Sequence, residues 1–450
     1  MPNKFLLLLA SSLCMPFAAH AQNAPAQSTA EAAEIDNGDI IVTARKRDES
    51  LQEVPLAITA FGSREIKSAR IERLSDVAKL TPGLNFTPLF GAQNQLPIIR
   101  GAAQTFGALN VGVFLDGVYL SGKASVDLEL NDLERIEVVK GPQSALYGRN
   151  TFAGAINYIT RAPSAVPEVR GEITGGDNGL FKVAASASGP ITDTLRVRVG
   201  GFYRDHSGYY RSAIDGGRVD KSENYGGILT FELKPSEPVT ITLRGSYSQE
   251  NSGQPPSSVI RNNSAPGRPA GSPAGTVRNL LYIGDVPEIP RDGVVVNTRE
   301  SLISGAYGQQ QTTYRTNLKI EIDSGPAIFT SLTSFDKRDT SFTFDGDNTI
   351  CDRAGGCPNF GFPFVAAIPF GKSDFGTSSS TGYSRDVAQE IRLASPGGTN
   401  FDWLLGAYYY DNKSSFTDRS LNPLTQATKD TFGFPLQTTT TKSIDRKSVV

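Results

Sequence analysis

Thr312-Thr313-Tyr314-Arg315-Thr316-Asn317-Leu318-Lys319-Ile320-Glu321-Ile322-Asp323 changes character at every residue. Tyr314, Thr316, Leu318, Ile320 and Ile322 fall on one side of an extended chain. Thr313, Arg315, Asn317, Lys319, Glu321 and Asp323 fall on the other. Successive side chains of a strand point to opposite faces, so this is a strand with one apolar and one strongly charged face. Val239 to Gln249 repeats it: Val239, Ile241, Leu243, Gly245 and Tyr247 oppose Thr240, Thr242, Arg244, Ser246 and Ser248. Leu195, Val197 and Val199 oppose Arg196 and Arg198, and Tyr225, Leu229, Phe231 and Leu233 oppose Asn224, Thr230, Glu232 and Lys234. Length decides the class. Soluble sandwich strands run about five or six residues, whereas a tilted bilayer-crossing strand needs about 9–11. These segments are of the longer kind.

Ten such strands are predicted, at about 168–175, 180–189, 194–205, 223–234, 238–249, 311–323, 326–337, 385–395, 401–412 and 440–450. Short turns join some of them, at Gly189-Pro190 to Asp193, Pro235 to Pro238, Ser324 to Pro326 and Ser395 to Asn400. The alternate connections are long, at about 250–310, 338–384 and 413–439. Short turns on one side and long loops on the other are the habit of outer-membrane barrels. Phe202, Tyr203, Tyr247, Phe335 and Tyr408-Tyr409-Tyr410 gather near strand ends, where an aromatic girdle would sit at headgroup level.

Composition narrows the function. Lys+Arg 44 against Asp+Glu 46 gives no basic excess for nucleic-acid binding. Two His in 450 residues leave little for a His-built metal or acid–base site, and no resident cofactor is expected. No stretch after the leader approaches the roughly 18 apolar residues of a membrane-spanning helix. At the N-terminus, Lys4, the apolar run Phe5 to Ala10, and Ala19-His20-Ala21 before Gln22 read as a secretory leader over 1–21. Its cleavage removes Cys14.

Residues 22–49 read as a tether carrying Asp39-Ile40-Ile41-Val42-Thr43-Ala44, followed by the charged run Arg45-Lys46-Arg47-Asp48-Glu49. A β-prone segment on a flexible tether suits strand addition to another protein's sheet; the alternative is the first strand of the next domain. Residues 50–165 read as a small α+β domain. Strands are expected at Val54 to Phe61, Ile98 to Gly101, Val111 to Leu115 and Arg135 to Val139, with helical turns at Ser63 to Ser68 and Arg73 to Leu80. That domain has no Ser-His-Asp set and no nucleotide-binding Gly spacing, so no enzyme is expected.

These segments together resemble the TonB-dependent outer-membrane receptors. Asp39 to Ala44 looks like the energy-coupling box. Ile71 to Pro82, Ile99-Arg100-Gly101, Val113 to Val118, Arg135 to Pro142, Leu146 to Asn150 and Ala153 to Asn157 resemble the plug, and Ala388 to Leu393 resembles a recurrent barrel strand. The resemblance implies a small α+β plug (50–165) followed by an antiparallel transmembrane β-barrel (166–450). Its function would be import of a scarce ligand, a ferric siderophore foremost, across the outer membrane. It further implies TonB of the TonB-ExbB-ExbD complex as partner, outer-membrane lipid around a monomer, and the plug side facing the periplasm. Arg100, Glu137 and Lys140 on the plug, with Glu390 and Arg392 on the wall, are the expected plug–barrel contacts. Ordinary surface charge or local plug stabilisation is the alternative for each. Lys140 stands where the family usually has Arg, and loses the bidentate fork.

Such barrels have about 22 strands, so ten would be part of a longer product; a closed ten-stranded barrel would be too narrow for the plug. The span 22–38 is too short for the extra periplasmic signalling domain of transducing members. Cys351 and Cys357, in a long external loop, read as a disulfide staple, with a two-thiolate metal site as the alternative. Phe342, Phe344, Phe360, Phe362, Phe364 and Phe370 in the same region would either contact an aromatic or apolar ligand or fold the loop onto the rim. A passive porin and a secreted β-rich binding or adhesion module are the rival functions.

Overall fold

In a computed structural model the described residues are 40–88, 95–104, 108–123, 132–213, 215–256, 291–292, 294, 300–301, 305–306, 308–344, 378–396, 401–421 and 437–449. The first unit of structure begins with a clip, β1 (Ile41–Val42) paired antiparallel with β2 (Glu49–Ser50). It continues through β3 (Ala57–Gly62), α1 (Ser63–Ser68), α2 (Leu74–Leu80), β4 (Leu84–Pro88) and β5 (Gln95–Ile99). β6 (Val111–Leu115), β7 (Val118–Tyr119), β8 (Leu133–Lys140), α3 (Ser144–Tyr147) and β9 (Gly154–Thr160) complete it. β3, β8, β9, β6 and β7 form one mixed sheet in that order, with β6 and β9 parallel. α2 packs Leu74 and Val77 onto a core of Ile99, Val111, Val113, Ile136, Val138, Ile156 and Tyr158. The sequence reading found β3, β6, β8 and both helices but placed no strand at β9. That strand is buried on both faces over Gly154 to Tyr158, so the alternation that marks a half-buried strand is absent.

The remainder is a ten-stranded antiparallel sheet in which each strand pairs with the next. It starts with β10 (Glu168–Gly175), β11 (Phe181–Pro190) and β12 (Leu195–His206). A small hairpin, β13 (Tyr210–Arg211) with β14 (Arg218–Val219), rises from the next connection. β15 (Ser222–Ser236) and β16 (Val239–Ser252) follow, then a second small pair, β17 (Glu300–Ser301) and β18 (Gly305–Ala306). β19 (Gly308–Asp323), β20 (Ile328–Phe344), β21 (Ser378–Ala394), β22 (Leu404–Leu421) and β23 (Gln437–Val449) complete the wall, which is unclosed, with β10 and β23 as its end strands.

All ten predicted strands are present in order, but their loop-side ends run further. β20 extends to Phe344, β21 begins at Ser378 and β22 reaches Leu421. Serines, threonines and charges fill these extensions, so apolar alternation stops while the backbone ladder continues; lipid sets the first and hydrogen bonding the second. Burial is inverted relative to a soluble sheet. Arg198, Thr230, Arg244, Gln311 and Asp386 are buried on the inner face, whereas Val169 (83% exposed), Ile173 (77%), Leu243 and Ile391 face outward. Tyr225, Tyr247 and Tyr314 line up across β15, β16 and β19, with ring centroids 6.4 and 5.2 Å apart. That row is a girdle; of the expected aromatics it contains Tyr247, whereas Tyr410 turns inward against Tyr119 of the plug. Among the described residues no helix is long and apolar enough to cross a membrane.

Candidate functional site

Alternation along β1 turns Val42 inward, and Ala44 follows it, both sealed from solvent, while Ile41 points out. The turn closes with Lys46 in the left-handed region (φ 64°), its N–H donating to the Thr43 carbonyl at 2.9 Å. Thr43 is the anchor. Its N–H donates to Glu137 Oε1 at 2.8 Å and its hydroxyl to the same oxygen at 3.1 Å. Asn157, directly across from Glu137 on β9, donates Nδ2 to the Thr43 hydroxyl at 3.4 Å. Arg135 Nε donates to Glu137 Oε1 at 2.8 Å. Glu137 is fully buried, and a buried carboxylate is tolerable only with donors and a countercharge of this sort.

The basic run after the box crosses from plug to wall. Lys46 Nζ lies 3.5 Å from Glu390 Oε2 on β21, and 5.8 and 5.1 Å from the ring centroids of Phe114 and Tyr147. Burial pushes the Lys46 ammonium below its ordinary pKa, with Glu390 opposing the shift. Arg47 bonds Glu49 at 2.6 Å and Asp402, in the turn before β22, at 2.9 Å. The clip is therefore held by the plug on one side and by the wall on the other.

Of the residues singled out from sequence, the structure brings Glu137 to the box segment and Glu390 to Lys46. It does not bring Glu137 to Glu390 or Arg392. Glu390 and Arg392 pair with each other at 3.1 Å. Arg100 sits in the left-handed region (φ 51°) with its N–H on the Gly83 carbonyl at 2.8 Å, and its guanidinium lies beside Gly141, within the plug. Lys140 donates to the Pro82 carbonyl at 3.1 Å, a single bond that a lysine makes without a fork. Phe342 and Phe344 stack at 5.1 Å at the end of β20. Asp39, Cys351, Cys357, Phe360, Phe362, Phe364 and Phe370 lie outside the described residues.

Sequence reading missed the main plug-to-wall bonds. Arg244 on β16 bonds Asp116, which also accepts the Thr160 N–H at 2.9 Å. Arg198 on β12 forks onto Asp132 at 2.9 and 3.2 Å, with Arg161 3.6 Å from the same carboxylate. On β21, Asp386 accepts from Ser121 of the plug at 2.6 Å. The available clue was an arginine on the inner face of a strand, which needs a partner. Among the described residues no group of three His, Cys, Asp or Glu is placed to hold a metal.

Residues 50–155 match the family described as TonB-dependent Receptor Plug Domain. The chain is 29% identical over 176 residues to the pesticin receptor of Yersinia pestis, covering 38% of this chain and 26% of that one. It is 33% identical over 129 residues to the vitamin B12 transporter BtuB of Vibrio vulnificus, covering 28% and 21%. The crystal structure of the siderophore receptor PiuA from Acinetobacter baumannii superposes with TM-score 0.64 at 16% identity, over 89% of this chain and 54% of that one. The chain thus spans about half of that structure and matches about a quarter of the two relatives.

Proposed function

We propose that this chain, whose residues 50–155 match the TonB-dependent receptor plug family, is the plug-bearing part of an active importer of a ferric siderophore. The leader would be 1–21, the tether 22–49, the plug 50–165 and the barrel wall 166–450, with the plug side toward the periplasm. The observation that supports coupling is the seating of Ile40 to Ala44. A two-residue ladder to β2, one threonine on Glu137, the buried Val42 and Ala44, and two ion pairs to the wall hold this segment. Such a hold is far weaker than the plug's apolar core, so the segment can leave without unfolding the plug. Once free, residues 39–44 would add as a strand to TonB, where main-chain hydrogen bonds supply affinity without demanding particular side chains. A pull on that strand, driven by ExbB, ExbD and the proton gradient, would pass along the chain to the Lys46–Glu390 and Arg47–Asp402 pairs at the wall and, beyond them, to the plug.

No bond is made or broken in the cargo; the protein acts as a monomeric carrier of an iron complex. Iron is the reading supported by the likeness to the siderophore receptor PiuA, and cobalamin is a second reading supported by the likeness to BtuB. In cells carrying this protein as their sole receptor, deleting residues 39–44 should reduce uptake of a radiolabelled iron–siderophore complex to the level of cells without it. Uptake surviving both that deletion and collapse of the proton gradient would identify a passive porin instead.

A further inference from the structure

The chain's two histidines are His20 and His206, and the proposed import cycle makes no use of the second. His206 ends β12, on the side that carries Arg198 and Arg204 inward. It lies beyond Tyr203, the partner of Tyr225 in the girdle row, and so stands past the lipid on the long-loop side. Only 4% of the residue is exposed, and its ring centroid is 4.5 Å from that of Tyr209. Nδ1 accepts the Gly208 N–H at 3.1 Å, so the neutral ring carries its proton on Nε2. Nε2 has no hydrogen-bond partner among the described residues.

This ring fastens the β13–β14 hairpin. Gly208 is left-handed (φ +88°), and a Cβ there would collide with the Val219 carbonyl, so β14 is closed down onto the turn. Arg218 Nη1 donates to the Gly208 carbonyl at 3.2 Å, and Asp220 Oδ1 accepts the N–H groups of Tyr209 and Tyr210 at 2.9 and 3.2 Å. The bonding then runs on into the next connection. The Asp220 N–H donates to the Gln254 carbonyl at 3.0 Å, that of Arg211 to Arg291 at 2.7 Å and that of Ala213 to Val294 at 2.8 Å. Val219 and Val294 are sealed together against Tyr210.

A second proton on the imidazole has no place in this closed turn. It would go to Nδ1, which would then face the Gly208 N–H donor against donor, and a buried donor without an acceptor is costly. The surrounding charges do not reverse this. Arg204 and Asp205 approach from β12, Arg218, Asp220 and Lys221 from the hairpin and its foot, and Arg73 from the plug. Glu72 lies 4.0 Å from Arg204, Lys182 pairs opposite Arg204 on β11, and Glu223 pairs opposite Asp205 on β15. Cations and carboxylates are thus nearly matched, with no surplus of negative charge to draw the proton in.

We propose that His206 is a proton-operated catch on the loop side of the wall. Neutral, it holds the hairpin, and through it Gln254, Arg291 and Val294, against the end of β12; protonated, it lets them go. The catch stands whether or not the import reading does. Because the closed turn excludes the proton, its hold is complete above the pKa of a released imidazole, about 6.5, and is lost as pH falls below that value.

The test is amide hydrogen exchange on the full chain in detergent micelles, read at Gly208, Tyr209, Tyr210 and Arg211 and corrected for the intrinsic pH dependence of exchange. Lowering the pH from about 7.5 to about 5.5 should raise the opening of this turn about tenfold, with protection in β15 and β16 unchanged. His206→Asn places a carbonyl oxygen where Nδ1 stands and cannot take up the proton, so it should keep the turn closed and flatten the dependence. Opening that ignores pH in the parent chain would overturn the proposal. So would the same tenfold rise in H206N, which would hand the titration to Asp205 or Asp220. If H206N does not fold, nitrogen-15 shifts of the parent's imidazole decide: proton uptake in step with opening supports the catch, and uptake while the turn stays protected overturns it.

Discussion

In the plug, Ile136, Val138 and Ile156 are sealed from solvent and charged groups lie mostly outside; in the wall, Arg198, Thr230 and Arg244 are sealed while Val169, Ile173 and Leu243 face outward. The two regions share one chain and one chemistry of burial, but each is surrounded by a different medium. Water outside the plug drives its apolar groups together. Hydrocarbon outside the wall removes that drive and leaves the inner face to be settled by hydrogen bonds and ion pairs to the plug. The plug therefore does for the wall what a hydrophobic core does for a soluble sheet, with the polarity reversed.

The largest effect that sharpens this contrast is cavity creation. Ile136→Ala or Ile156→Ala should destabilise the plug by about 2–5 kcal/mol, seen as faster amide exchange in β8 and β9 with the wall's exchange unchanged. Equal loosening of both regions would mean that they share one core. On the wall, Leu243→Lys should cost about 2–4 kcal/mol in refolding titrations into lipid vesicles, because the charge would face hydrocarbon. A change within about 0.5 kcal/mol, ordinary for a water-facing site, would break the assignment of that face to lipid.

A smaller effect belongs to the seam. Lys46 is packed against Phe114 and Tyr147 and faces Glu390, with Arg392 and Lys319 also acting on it. Its seated pKa is below the ordinary 10.5, chiefly through burial. The seated clip thus bears the full cost of the charge at pH below the lowered value, and loses that cost as pH rises from there toward 10.5. Protease nicking within residues 40–50 should slow across this window, and Lys46→Met should flatten the dependence. A slope that persists in K46M would assign the titration to another group.

The sequence by itself determined the two surroundings. Period-2 alternation over 312–323 or 239–249 is local, and it records which face meets lipid whatever the partners are. The plug's motifs were legible for the same reason, each being written in adjacent residues. Strand ends beyond the lipid were not, because polar residues such as Ser378, Ser379 and Ser380 pair through their backbones without leaving an apolar trace. The charge partners were decided only by the tertiary structure. Arg244 meets Asp116 from 128 positions away, Arg198 meets Asp132 from 66, and Lys46 meets Glu390 from 344. An inward arginine states that it needs a carboxylate, but Coulomb attraction carries no address. Which carboxylate answers depends on where the folded plug sits against the wall.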